Sequence, residues 1–218
     1  MTPHGGLWHK LIRFGFRLLY NEFAFTYDTV SYAVSLGAWR CWQRAALKHL
    51  GVPVPAPVLE LAHGTGSLQL DLAALGYRAV GIDISKSMGR IAVRKLRGHG
   101  FAPQLARAQA QYLPFAAETF AAVICTFPTE FIFQPQVLRE AHRVLQPSGR
   151  LVIVPIALLN GHGPLEAGLE RLYQITGQRS SGQADVAALF SSCGFSVELL
   201  QDFCPRSTVQ IIAAHKQT

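Results

Sequence analysis

Val58-Leu59-Glu60-Leu61-Ala62-His63-Gly64-Thr65-Gly66 carries an apolar, β-branched run straight into two closely spaced glycines. Pro57 to Ala62 reads as a buried strand, and His63 to Gly66 as the turn that ends it. Leu68, Leu72 and Leu75 follow at helical spacing with Gly76 just beyond, which predicts a helix from about Ser67 to Leu75. Glycines where a strand turns into a helix let a ligand approach the backbone and meet the free N–H groups of the helix. Asp83 closes the next apolar run, Ala79-Val80-Gly81-Ile82-Asp83-Ile84. A carboxylate there can accept hydrogen bonds from both hydroxyls of a ribose. Loop, strand end and acid in one βαβ unit point to a nucleoside-containing cofactor.

Outward from this unit the alternation continues. Ser85 is a natural N-cap for a helix whose basic face carries Lys86, Arg90, Arg94 and Arg97. Phe101 to Ala108 is a weak third strand, Phe120 to Phe127 a strong fourth, and Leu151 to Val154 a fifth. Between the last two, Gln134 to Leu145 reads as a helix stopped by Gln146-Pro147-Ser148-Gly149. Helical stretches around Leu165 to Ile175 and Asp185 to Cys193 precede Phe195 to Leu200 and, after Cys204-Pro205, Thr208 to Ala213. Those final strands have no room for a crossover helix between them, so they pair antiparallel. The expected fold is α/β, a doubly wound, mostly parallel sheet with an antiparallel C-terminal hairpin.

Composition narrows the function. The chain has 218 residues, half of them hydrophobic and 15% charged, enough to bury a full core. Lys plus Arg number 20 against 13 Asp plus Glu, a net +7, and residues 1–50 hold six of the bases and two of the acids. Apolar runs fall far short of a membrane-spanning helix, and Lys10, Arg13 and Arg17 interrupt the only stretch resembling a secretory leader. A cytoplasmic protein is expected. Cys41, Cys125, Cys193 and Cys204 form no CxxC pair, so reduced, buried thiols are expected and no metal site.

Residues 1–52 form a helical cap and residues 53–218 the cofactor domain. Leu7, Leu11, Phe14 and Leu18 make one helical stripe, with Lys10, Arg13 and Arg17 on another face. Such a basic amphipathic helix either packs as a cap or lies, through residues 7–19, on an anionic membrane surface. No nucleic-acid partner is expected, because the chain lacks a recognition module and basic-aromatic interleaving.

The cofactor is not a dinucleotide by its fingerprint: the third glycine position is Gln69 counted from Gly64, or Ser67 counted from Ala62. A phosphate-cradling P-loop is excluded, since no Gly-Lys-Ser or Gly-Lys-Thr occurs.

Four segments in order, Val58 to Gly66, Gly81 to Met88, Ala110 to Phe115 and Glu140 to Leu151, resemble the class I S-adenosylmethionine (SAM)-dependent methyltransferases. The closest flavour is the group that includes the ubiquinone and menaquinone biosynthesis methyltransferases, and the resemblance covers about residues 57–215. It implies a Rossmann-like methyltransferase fold of seven strands, SAM as cofactor, S-adenosylhomocysteine as product, and methyl transfer to a small or lipophilic acceptor at oxygen, carbon or nitrogen. By resemblance, Glu60 orients the loop and the methionine amino group. Ala62, Gly64 and Gly66 occupy the three glycine places with His63 among them, and Asp83 binds the ribose. Ile84 and Met88 flank the adenine, Gln109 receives its amino group with Ala110 and Gln111 alongside, and Thr126 and Phe127 pass the methionine end and the acceptor. Ala62 for a glycine and Gln109 for an Asp are departures.

Methyl transfer from a sulfonium is an in-line displacement with a good leaving group, so positioning and desolvation supply much of the acceleration. A base is needed only when the acceptor must lose a proton. Glu130, just past the fourth strand, and Tyr27, in Phe25-Thr26-Tyr27-Asp28, are the candidate catalytic residues. Thr126-Phe127-Pro128-Thr129 departs from the Asn/Asp-Pro-Pro-aromatic signature of nucleic-acid amino methyltransferases. His63 reads as a spacer and His142 as a surface residue, while Tyr32, Trp39 and Trp42 line an apolar acceptor pocket or fill the core. Two alternatives stand: a catalytically inactive methyltransferase-like binding protein, and a nucleotide-dependent oxidoreductase.

Overall fold

A computed structural model describes residues 26–160 and 183–217. Both the basic stripe of residues 7–19 and the helical stretch expected at Leu165 to Ile175 lie outside the described residues. The described residues begin with two short helices, α1 (Tyr27–Val34) and α2 (Trp39–Ala45), and a 3-10 turn, Ala46–His49. The alternating part then runs β1 (Pro57–Leu61), α3 (Ser67–Ala74), β2 (Arg78–Asp83), α4 (Lys86–Gly98), β3 (Leu105–Arg107), β4 (Phe120–Thr126), α5 (Pro135–Val144) and β5 (Leu145–Leu159). It closes with α6 (Gln183–Ser192), β6 (Phe195–Cys204) and β7 (Ser207–Lys216).

The seven strands form one sheet in the order β3-β2-β1-β4-β5-β7-β6. β1 to β5 pair parallel, and β7 runs antiparallel between β5 and β6. This is the expected doubly wound sheet with its antiparallel ending. Side chains alternate across it as a two-residue period demands. Leu59, Val123, Cys125 and Ile153 face a layer containing Val137, Leu138 and Ala141 of α5 and Phe190 of α6. Val58, Ala122, Ile124 and Val152 face Trp42 of α2 and Leu68 and Leu72 of α3.

Local signals acted largely as chemistry requires. The Ser85 hydroxyl accepts the Met88 N–H at 3.2 Å and so caps α4. Two boundaries moved. β3 keeps only three residues of the expected eight, and β5 begins at Leu145 instead of Leu151. The Pro147-Ser148-Gly149 stop became a bulge inside β5, with Ser148 at φ 59°, because Leu145 already pairs with Phe120 before the register shifts.

The cysteine expectation needs correction. Cys125 and Cys193 are free and buried, but Cys41 of α2 and Cys204 at the end of β6 form a disulfide across 163 residues of sequence. No CxxC spacing announces such a pair, because only the fold brings α2 over the C-terminal hairpin. The Trp42 indole N–H donates to the Ser207 hydroxyl at 2.7 Å, and Lys48 pairs with Asp202 at 2.7 Å, fastening the same two regions. His142 also departs from its expected surface place: its ring packs edge-on against Phe195 at 5.3 Å, beside Gly194.

Candidate functional site

β1 ends in a loop with three residues at positive φ, Ala62 at 56°, Gly64 at 53° and Gly66 at 77°. Gly66 serves packing: a Cβ on it would lie 2.6 Å from the Ala92 Cβ, so only glycine lets α3 start this close to α4. Gly64 serves access, for a Cβ there would meet nothing within 4 Å. Its N–H donates to Asp83 Oδ2 at 2.9 Å, while Ser85 N–H donates to Asp83 Oδ1 at 2.7 Å. Two backbone amides thus hold one carboxylate at the end of β2, and each oxygen keeps a lone pair for a further donor.

Beneath this loop Glu60 is 2% exposed. Its Oε2 is buried with no hydrogen-bond partner among the described residues. Burial pushes the Glu60 carboxyl up to about 8, against a smaller lowering by the Gln69 hydrogen bond, so it is largely protonated at neutral pH. His63 is also buried, its Nδ1 2.9 Å from the Gly64 carbonyl oxygen. Burial lowers its pKa from the ordinary imidazole value, which keeps the ring neutral.

The other residues singled out from the sequence spread along the same C-terminal edge. Ile84 is 60% exposed beside Asp83, whereas Met88, in the first turn of α4, is fully buried. Gln109 and Tyr112 close a turn through a 3.1 Å backbone bond, with Ala110 buried inside it. The Gln111 side chain donates to Gln134 Oε1 at 2.8 Å. Arg143 explains why the third and fourth segments occur together: its guanidinium donates to the carbonyls of Leu113 and Phe115, while Glu140 accepts the Leu113 N–H. Thr126 ends β4, and Glu130 is exposed on the 3-10 turn Glu130–Phe133.

Over the end of β4 sits an aromatic cluster. Phe127, at φ 50°, stacks on Trp39 with ring centroids 4.4 Å apart, and Trp42 lies 5.8 Å from Phe127. Tyr27 meets Trp39 edge-on at 6.2 Å. Trp42 is core, Trp39 is half-buried, and Tyr32 is 66% exposed and apart from the stack.

One feature was not legible in the sequence. Asp28 of α1 accepts from the Thr65 hydroxyl at 2.7 Å and from Lys95 Nζ at 2.8 Å, and Lys95 also donates to Ser67 at 2.7 Å. The start of α1 is thereby bound to the glycine loop. Burial acts to raise the Asp28 carboxyl, but the hydrogen bonds from Lys95 and Thr65 outweigh it and hold the group below its ordinary range.

Comparison with known proteins gives a consistent picture. A family model described as a methyltransferase domain matches residues 58–149. The ubiquinone/menaquinone biosynthesis C-methyltransferase UbiE of Syntrophotalea carbinolica is 39% identical over 160 residues, 72% of this chain and 67% of the relative. The demethylmenaquinone methyltransferase of Thermus thermophilus is 37% identical over 139 residues, 62% of this chain and 63% of the relative. The matches thus span about two thirds of these relatives' length. Among solved structures, a phosphoethanolamine N-methyltransferase 2 of Haemonchus contortus, in complex with phosphomonomethylethanolamine and S-adenosylhomocysteine, is similar in fold. It superposes with a TM-score of 0.63 at 15% identity, over 84% of this chain and 53% of that one.

Proposed function

Because the chain belongs to the class I SAM-dependent methyltransferases, in the group of the ubiquinone and menaquinone C-methyltransferases, we propose that it methylates a ring carbon of a lipophilic hydroquinone. The observation that carries the acceptor class is the Trp39–Phe127 stack at the end of β4, a flat apolar wall suited to a planar ring.

The residues present fit the cofactor. Open space over Gly64, free lone pairs on Asp83 and the unpartnered buried Oε2 of Glu60 match in turn a close backbone approach, a ribose diol and an ammonium group. On this reading Asp83 holds the ribose, Glu60 the amino group, and Ala62, His63, Gly64 and Gly66 bring the backbone alongside. Ile84 covers one adenine face and Gln109 to Gln111 its edge, while Met88 supports α4 from within. When bound, SAM supplies an electrophilic methyl on a sulfonium whose departure leaves a neutral thioether.

The chain's own part is to orient the acceptor and exclude water. Trp39 and Phe127 fix the ring plane, so that a ring carbon lies in line with the transferred methyl. Loss of a hydroxyl proton makes that carbon nucleophilic, and Glu130 and Tyr27 are the groups at this edge suited to receive or relay it. Membrane access for so apolar an acceptor fits the basic stripe of residues 7–19.

The test is incubation of the intact protein with SAM and a panel of prenylated benzo- and naphthohydroquinones beside polar amines and phenols. S-adenosylhomocysteine release with a methyl added to a hydroquinone carbon is expected. Turnover confined to polar amines would overturn the acceptor class, and absence of any SAM binding by calorimetry would overturn the whole reading.

A further inference from the structure

Between Asp83 and Glu118 the chain contains no acidic residue, yet it holds Lys86, Arg90, Arg94, Lys95, Arg97 and Arg107. This stretch carries a net +6, more than residues 1–50. Lys95 turns inward to Asp28. Lys86, Arg90, Arg94 and Arg97 recur every three or four residues along α4, so they share one stripe, and all four are exposed. None of these four makes an ion pair among the described residues. Opposite them on β3, Arg107 is exposed, its Nε donating to the Ile84 carbonyl oxygen at 2.9 Å.

Between α4 and β3 runs a groove of about 460 Å³ that opens onto Asp83. Lys86, Arg90, Arg94 and Arg107 supply its cationic walls, and Val93 and Leu105 contribute apolar surface. Four cations held this close against the single carboxylate of Asp83 leave a net repulsion, and an anionic partner relieves it.

We propose that this stripe and groove dock the protein on an anionic phospholipid bilayer, with a lipid phosphate seated in the groove. Charge complementarity and local chemistry favour a bilayer over a nucleic acid. No Phe, Tyr or Trp lines the groove to stack a base and the His63 ring is buried, whereas Ile84, 60% exposed, stands beside it at the same strand end. Arginine at several points along a helix matches a plane of phosphates and adds attraction with each residue near the surface. Docking here lays the exposed side of α4 and the β3 edge of the sheet along the membrane, which holds the protein at the surface where a lipophilic acceptor dissolves. That consequence rests on the acceptor proposed above, while the docking itself does not.

The experiment is co-sedimentation of the full chain with phosphatidylcholine vesicles, with and without phosphatidylglycerol, at low and high salt. Binding is expected only to the anionic vesicles, with release at high salt. Arg90→Gln/Arg94→Gln/Arg97→Gln should lower the partition coefficient at least about tenfold, given the usual worth of each cation near a bilayer. The charge-conserving Arg90→Lys/Arg94→Lys/Arg97→Lys should retain binding, and an unchanged circular dichroism spectrum establishes that each variant is folded. The proposal is overturned if the glutamine variant binds as the parent does. It is equally overturned if neutral vesicles bind as well, or if the stripe captures a single-stranded oligonucleotide and no vesicle. Since sedimentation needs no turnover, failure here leaves the methyl-transfer reading standing, and the converse holds.

Discussion

The carboxylate of Asp28 accepts the hydroxyl proton of Thr65 at 2.7 Å, joining the first helix of the described chain to the middle of the glycine loop. Lys95 completes the junction by contacting Asp28, Thr65 and Ser67 together. The loop's shape therefore depends on a residue far upstream of it. Asp28→Asn keeps the size but removes the charge that gathers the Lys95 ammonium. We expect SAM affinity to fall by about fivefold, the worth of roughly 1 kcal/mol of hydrogen bonding. Calorimetry on Asp28→Asn, Thr65→Val and the double variant should give a non-additive result, since both changes break one contact. Because the Asp28 carboxyl is held below its ordinary value, its contribution is present above the normal carboxylate range and is lost as pH falls through the depressed value.

Glu60 titrates in the opposite sense. Its folded-state value of about 8 lies above the ordinary 4.5, so between those values the unfolded chain is ionised while the folded chain keeps the proton. Stability should therefore decline as pH rises from 4.5 to 8 and level off above that. Glu60→Gln removes this slope, which urea titrations at several pH values would reveal. An ammonium brought beside the buried Oε2 favours the ionised form, so SAM binding should release a proton near pH 7. Calorimetry in buffers of different ionisation enthalpy reads that proton directly, and none should be released by the glutamine variant.

Much of the sheet was legible because its signals are local. The short, mostly apolar runs across Val58 to Leu61 and Phe120 to Thr126, the Ser85 cap and the two-residue break before Ser207 each require only neighbours in sequence. Asp83 was legible too, since strand-end acids follow from the βαβ unit. What escaped depends on long-range contact. The Asp28–Lys95 pair spans 67 residues, and neither member differs in type from a solvated surface charge. The early start of β5 was hidden because Pro147-Ser148-Gly149 is written in the same letters whether it ends a helix or bulges a strand. His142 lies within one stretch with Arg139 and Arg143, yet on the sheet side of α5 it meets Phe195, contributed by a strand more than fifty residues away.

The Cys41–Cys204 bridge ties α2, which carries Trp39 and Trp42, to the end of β6. Crosslinks closing long loops restrict the unfolded chain and are worth typically about 2–4 kcal/mol. Cys41→Ser/Cys204→Ser should therefore lower the melting temperature by several degrees. Treating the parent with a reductant should reproduce the shift, while the double variant should not respond. Mass spectrometry of unreduced peptides containing Cys41 and Cys204 checks the link itself, and Cys125 and Cys193 should label with a thiol reagent only after unfolding, because both are buried.

Ala62 puts a methyl group into the left-handed region at φ 56°. A non-glycine residue there costs roughly 1–2 kcal/mol, whereas glycine increases the entropy lost on folding by an amount of order 0.5–1 kcal/mol. The two effects nearly cancel, so Ala62→Gly should change unfolding free energy by less than about 1 kcal/mol. Cofactor affinity should respond differently. The Ala62 side chain is exposed on the loop that contains Gly64 but over 4 Å from the open side of Gly64, so its methyl can meet only a ligand that lies along the loop. Removing it should tighten binding of SAM and S-adenosylhomocysteine by a similar factor of several-fold, because both share the methionine backbone that approaches the loop. If the variant instead weakens both ligands equally at unchanged stability, the Ala62 methyl contributes contact rather than obstruction, and the loop's departure from glycine is part of how this chain holds its cofactor.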